Sequence, residues 1–309
     1  MRMDGHVGPV VDDEVRHRLS RRYGSAIGPW LDGLPILLGE LAQRWQLDIC
    51  SVVRRGTVSL VLNCRDPLGA PLILKVSPDR QRIAAEARAL SAWRTRHVPH
   101  VVASHAGRGA LLMEAIQPGI ALDESGRLPA TSAVAQLLHA LHEHGPPPSS
   151  VPPIEDRIAS LYRSAEANYT RRPDLLDLIP RSVYERGRRA ANTLARQACR
   201  RVALHGDLTP ANVLHAGSGR GLVAVDPAPC WGDPAFDTVD LVMWQAEDLA
   251  TVAARARDLG RRLGFPEETA LRWCAAFAAM IALELAEAAA PGAPTSPRLN
   301  MLLELEGSF

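Results

Sequence analysis

Residues 205–214 read His-Gly-Asp-Leu-Thr-Pro-Ala-Asn-Val-Leu, which sets Asp207 and Asn212 five positions apart in a stretch broken by glycine and proline. Nineteen residues after Asp207, the apolar run Leu222-Val223-Ala224-Val225 ends in Asp226-Pro227. The fold must therefore present one acid and one amide from a loop and a second acid from the end of a strand. Ordinary packing calls for no such set. Phosphoryl transfer does: one carboxylate receives a hydroxyl proton, while an amide and a carboxylate hold magnesium.

The rest of the chain divides into two parts. From about residue 48 to 76 it is rich in β-branched and apolar runs (51–53, 58–62 and 71–76), separated by turn signals such as Asp66-Pro67-Leu68-Gly69. A helix is expected over 80–94, then short strands near 101–104 and 110–114. This β-rich part ends near Gln117-Pro118-Gly119, and from Thr131 the pattern is mainly helical, beginning with a helix over 134–144. The expected organisation is α+β and bilobal. An N-terminal antiparallel-sheet lobe with a leading helical segment spans 1–117, and a mainly helical C-terminal lobe spans 118–309.

A length of 309 residues suits two such lobes, and a net charge of +1 creates no field favouring nucleic acid or an anionic membrane. Five cysteines without a CxxC pair argue against a disulfide framework. No signal peptide is visible, and no apolar run reaches membrane-spanning length, so a cytoplasmic enzyme is expected.

The decamer at 205–214, with Val223-Ala224-Val225-Asp226-Pro227 and Gly232-Asp233-Pro234-Ala235-Phe236-Asp237 after it, resembles the aminoglycoside phosphotransferase family, and within it the streptomycin and hydroxyurea kinase branch. The resemblance runs from about 25 to about 290. It implies a protein-kinase-like fold, ATP bound between the lobes with Mg2+, and O-phosphorylation of a small hydroxylated molecule. Asp207 matches the catalytic aspartate, and Asn212 and Asp226 match the magnesium ligands. Asp226 is followed by Pro227-Ala228, so the Asp-Phe-Gly switch of protein kinases is absent.

Lys75, in an otherwise apolar strand, and Glu86, in the helix after it, match the family's phosphate-contacting lysine and the glutamate that holds it. The glycine-rich loop is thin, with Gly56 alone, and Ser59 is a candidate for phosphate contact. Arg54 and Arg55 are either a solvated turn or phosphate contacts. Residues 110–116 resemble the hinge, where adenine would bond to the main chain of Glu114 and Ile116 with Met113 lining its pocket.

The substrate side is read from acids. Asp233, Asp237 and Asp240 fall at helical spacing and repel one another by a few tenths of a kcal/mol per pair, roughly, unless compensated. A helix cap suits Asp233, and support of the catalytic loop or substrate contact are both open to Asp233 and Asp237. Glu247 and Asp248 follow an apolar helix. Glu284 and Glu287 lie in a helix over 270–290 that is apolar almost all round and so expected to be buried. Each needs a partner, either an arginine of the protein or the cation of a bound antibiotic. A streptomycin-type acceptor is favoured over hydroxyurea, which is small and uncharged; a viomycin-like peptide antibiotic and a small metabolite are further alternatives. Two other readings stand: a catalytically silent pseudokinase, and a metal-dependent hydrolase built on His205 and Asp207. A monomer or weak dimer is expected.

Overall fold

The computed structural model describes residues 12–54, 58–290 and 294–308. It divides into two units: residues 1–91 with 99–117, and residues 92–98 with 118–309.

The first unit is built on five antiparallel strands, β1 (Asp48–Val53), β2 (Leu60–Arg65), β3 (Pro71–Val76), β4 (Val101–His105) and β5 (Ala110–Glu114), in the order β1-β2-β3-β5-β4. Of its longer helices, α1 (Asp13–Tyr23) and α2 (Leu34–Trp45) precede the sheet, and α3 (Arg80–Ala92) follows β3. Alternation decides β2: Leu60, Leu62 and Cys64 are buried while Asn63 and Arg65 face out. They share one core with Leu19 of α1 and Leu34 and Leu41 of α2. The strand expected over 58–62 thus starts two residues later. Val58 turns instead, its carbonyl accepting from Tyr23 Oη (2.7 Å) and Ser77 Oγ (2.9 Å).

The second unit is largely helical: α4 (Thr131–Glu143), α5 (Ile154–Arg171), α6 (Arg181–Gln197), α7 (Leu249–Leu263), α8 (Glu267–Ala288) and α9 (Pro297–Glu306) are its longer helices. Short strands are inserted among them, of which only the one before Asp226 was expected. β6 (Ile120–Ala121), β8 (Val213–His215) and β9 (Leu222–Ala224) form one small sheet, and β7 (Val202–Leu204) pairs antiparallel with β10 (Cys230–Gly232). These hairpins frame the segment carrying Asp207, Asn212 and Asp226.

Helix α8 corrects one expectation. Its 22 residues include a window of mean hydropathy 1.4, long and apolar enough to cross a membrane. That apolarity serves packing, because 67% of the window is buried and α8 touches α5, α6, α7 and α9. Trp273, Phe277 and Phe236 stack at its centre, with ring centroids 5.5 to 6.2 Å apart.

Candidate active site

Between β7 and β8 the chain makes an open loop ending in a turn over Pro210–Asn212. Fully buried His205 fixes its start: the Asp207 amide donates to Nδ1 (3.3 Å), and Nε2 lies 3.0 Å from the Val225 carbonyl. The carbonyl can only accept, so Nε2 carries the proton and the ring is neutral. Burial holds its pKa below the ordinary value against the pull of Asp237 and Asp207. With both nitrogens engaged, His205 is a bracket and not a metal ligand. The hydrolase reading therefore loses its histidine, and no cluster of three metal-binding side chains exists among the described residues. At Gly206, φ is +76°, and a Cβ would fall 2.0 Å from the Ala228 carbonyl oxygen, so only glycine fits.

Asp207 emerges from this bracket half-exposed. Arg157 Nη2 donates to its Oδ1 at 2.8 Å, and Asn212 Nδ2 lies 3.2 Å from Oδ2 and 2.9 Å from the Asp207 carbonyl. Asn212 thus spends its NH2 on Asp207, and its amide oxygen remains as the donor a hard cation prefers. The Val225 amide donates to the Asn212 carbonyl (2.9 Å), which brings the next residue, Asp226, alongside. Asp226 adopts φ +57°, a left-handed conformation unusual outside glycine and one that clusters at functional sites. An amide oxygen and a carboxylate suit magnesium, which takes one or two protein carboxylates and completes its shell with phosphate and water.

The two acids of the following segment hold the loop and do not face a substrate, which corrects the substrate-contact reading. Asp237, 3% exposed, accepts from the His205 amide (2.9 Å) and the Gly206 amide (3.0 Å), and its Oδ2 is 3.0 Å from His142 Nε2. Burial alone would raise its pKa. The bond and charge of His142, with His205 and the Gly206 amide, outweigh that and hold it low. Asp233 caps the turn over Pro234–Thr238 through the Ala235 amide (2.9 Å) and accepts from Trp273 Nε1 (3.1 Å). Both carboxylates are spoken for inside the protein.

Asp240 is different. Its pKa is pushed up to about 6 by burial first and then by Asp207, with Arg157 and Arg298 opposing. Glu284 behaves alike, raised to about 7. Crowding by protein comes first among the causes although the side chain keeps solvent contact; repulsion from Asp240 and Asp207 adds, and Arg157 opposes. Glu284's neighbour in sequence, Glu287, takes an arginine of the protein, Arg171, at 2.9 Å. For Glu284 no such bond is found among the described residues. Glu247 is exposed before α7 and is not among the main charges acting on Asp240 or Glu284. Asp248 caps α7 through the Thr251 amide (2.6 Å).

In the first unit, Lys75 Nζ lies 2.8 Å from both carboxylate oxygens of Glu86, with side chains 1% and 2% exposed. A buried ion pair of this kind is costly to assemble and stays where geometry is well matched. Ser59 is buried, and its Oγ has no hydrogen-bond partner among the described residues. Arg54 is exposed and pairs with Asp12 (3.3 Å) and Glu14, which makes it part of the α1 surface. Arg55 and Gly56 lie outside the described residues. Met113 and Ile116 are buried, and the Glu114 amide donates to the His100 carbonyl at 3.0 Å, so a base contact at Glu114 narrows to its carbonyl.

Arg157, His142 and Asp240's separate role were not legible in the sequence. Arg157 follows Glu155 and Asp156 at the start of α5, where a charged trio looks like any solvated helix face. His142 sits in an apolar helix with no motif around it.

The architecture is that of the protein-kinase-like phosphotransferases. A thermostable mutant of the aminoglycoside phosphotransferase APH(4)-Ia, solved with ADP and hygromycin B, superposes with a TM-score of 0.59 at 16% identity, covering 88% of this chain and 99% of that one. The chain belongs to the aminoglycoside/hydroxyurea antibiotic resistance kinase family, whose model matches residues 44–282. Streptomycin 6-kinase of Streptomyces griseus is 28% identical over 263 residues, covering 82% of this chain and 79% of that protein. Hydroxyurea phosphotransferase of Kitasatospora aureofaciens is 29% identical over 275 residues, with the same coverage.

Proposed function

We propose that the protein transfers the γ-phosphoryl group of ATP to a hydroxyl of a small cationic antibiotic of the streptomycin type, and so confers resistance. The observation that carries the choice of acceptor is the pair Asp240 and Glu284, crowded carboxylates near Asp207, of which Glu284 lacks the arginine that its neighbour Glu287 has. An uncharged acceptor such as hydroxyurea would leave these charges uncompensated. A bound ammonium or guanidinium would return both acids to their ionised form, and the acceptor hydroxyl would be positioned at Asp207 by contacts remote from it.

In this reading Asp207 receives the hydroxyl proton as the bond to phosphorus forms. Lys75, held by Glu86, contacts the α and β phosphates, with Ser59 beside them. Met113, Glu114 and Ile116 receive the adenine. Asn212 and Asp226 would hold Mg2+, which would supply charge neutralisation to the phosphates. Together these residues favour a working kinase over a silent one. The enzyme is placed in the cytoplasm, as a monomer or weak dimer, with neither nucleic acid nor membrane as a partner.

A coupled ADP-release assay across streptomycin, other aminoglycosides, hydroxyurea and a viomycin-like peptide tests the acceptor. Streptomycin is expected to stimulate turnover most; stimulation by hydroxyurea alone would remove the cationic acceptor and keep the chemistry.

The acid pair also predicts a trade between stability and binding. A carboxyl whose pKa is raised by folding binds its proton more tightly in the native state, so it costs stability progressively as pH rises from the ordinary 3.8 through about 6 for Asp240. Asp240→Asn removes that cost. Above pH 6 the free variant is expected to be more stable by about 1–3 kcal/mol and to bind a cationic acceptor at least about tenfold more weakly. Thermal melts at pH 5 and pH 8, with acceptor titrations, check both halves; a variant less stable at pH 8 refutes the electrostatic account.

A further inference from the structure

Helix α5 sends one side chain to the catalytic loop. Arg157 is 14% exposed in its side chain and uses two donors along one edge of its guanidinium at once: Nε donates to the Gly206 carbonyl at 2.6 Å and Nη2 to Asp207 Oδ1 at 2.8 Å. We propose that Arg157 is a positioning residue for phosphoryl transfer, a planar fork anchored on the Gly206 carbonyl that fixes the rotamer of the Asp207 carboxylate. The inference rests on the catalytic reading of Asp207 and adds to it what aims the group.

The physical need is plain. Asp207 has one oxygen beside the Asn212 amide, at 3.2 Å, and that single contact leaves the planar carboxylate able to pivot about it. Asp240 and Glu284 stand close enough to repel it, and both feel Arg157 as the opposing charge. Repulsion would turn an unrestrained Asp207 carboxylate away from the acceptor site. A guanidinium suits the restraint because its donors are coplanar and rigidly spaced, so holding the Gly206 carbonyl sets where the second donor points. Gly206 is itself closely enclosed, its left-handed backbone packed against Ala228 and its amide donating to Asp237 at 3.0 Å. The anchor is thus the part of the loop tied to the buried Asp237. An ammonium on a flexible stem would carry the charge without the fixed direction.

The test compares Arg157→Gln, Arg157→Lys and Arg157→Gly with Asp207→Asn in the same ADP-release assay. Arg157→Gln and Arg157→Lys are expected to lose about 10²-fold in kcat, with KM for ATP within about threefold of the parent, because aim and not binding is lost. Methylguanidine added to Arg157→Gly should restore at least about fivefold of the lost rate, a response that a merely structural role would not give. Should Arg157→Gly fail to fold, the split between kcat and KM in Arg157→Lys decides, with its melting temperature required to match the parent. Full kcat in Arg157→Gln, or a loss that tracks the melting temperature without rescue, overturns the inference. Turnover by Asp207→Asn at the parent rate would instead overturn the catalytic reading beneath it.

Discussion

Asp207→Ala is expected to lower kcat by about 10²–10⁴-fold while ADP still binds with its parent affinity. The carboxylate is 28% exposed and keeps lone pairs beyond its bonds to Arg157 and Asn212 with which to meet a hydroxyl. Asp237 is enclosed by two amides and a histidine, and Asp233 by an amide and an indole. Nucleotide affinity should survive because, in the proposed reading, the phosphates are held by Lys75, which Glu86 positions at 2.8 Å. ADP release in the presence of acceptor measures the first effect, and calorimetric ADP titration the second. A variant that keeps a tenth of parental turnover would remove Asp207 from the proton transfer. A variant that loses ADP binding as well would show that folding had failed.

Asp237→Ala is expected to be the most destabilising single change in the second unit, by about 3–5 kcal/mol, because it strands buried donors that nothing else can reach. The His205 and Gly206 amides would lose their acceptor, and His142, 4% exposed, would lose its only salt-bridge partner among the described residues. The pH dependence has a definite sign. Folding depresses this carboxyl, so its contribution is present in full above the ordinary value of 3.8 and disappears as pH falls through the lower folded value. The gap between parent and variant should therefore be wide at pH 7 and close in strong acid. Denaturant melts at the two extremes check it; a gap that is constant with pH would mean that folding leaves this carboxyl unshifted, and one that narrows as pH rises that Asp237 stands there neutral.

Most of the chemistry was legible because catalytic groups come as residue types at set spacings. Asp207, Asn212 and Asp226 need no tertiary information to be seen as a set, and Lys75 with Glu86 pairs a strand and a helix eleven residues apart, which the structure closes to 2.8 Å. The strands of the first unit and the helices near 80–94, 134–144 and 270–290 followed from alternation and helical spacing, with errors of a few residues at element ends such as the start of β2, while the strand order came from the structure. What spacing could not resolve was the division of labour among like residues. Asp233, Asp237 and Asp240 are indistinguishable as letters. Folding gives the first an amide and an indole, the second two amides and a histidine, and the third a crowd of like charges.

The amino-acid sequence by itself therefore determined the class of reaction, since a carboxylate, an amide and a second carboxylate at those separations have one common use. Only the tertiary structure decided which acids are bonded within the fold, because that depends on donors brought in from remote elements. His142 of α4 and Trp273 of α8 lie 95 and 40 residues from the acids they satisfy, and Arg157 of α5 lies 50 residues from Asp207. A hydrogen bond acts over about 3 Å of space and ignores distance along the chain, so no local pattern announces it.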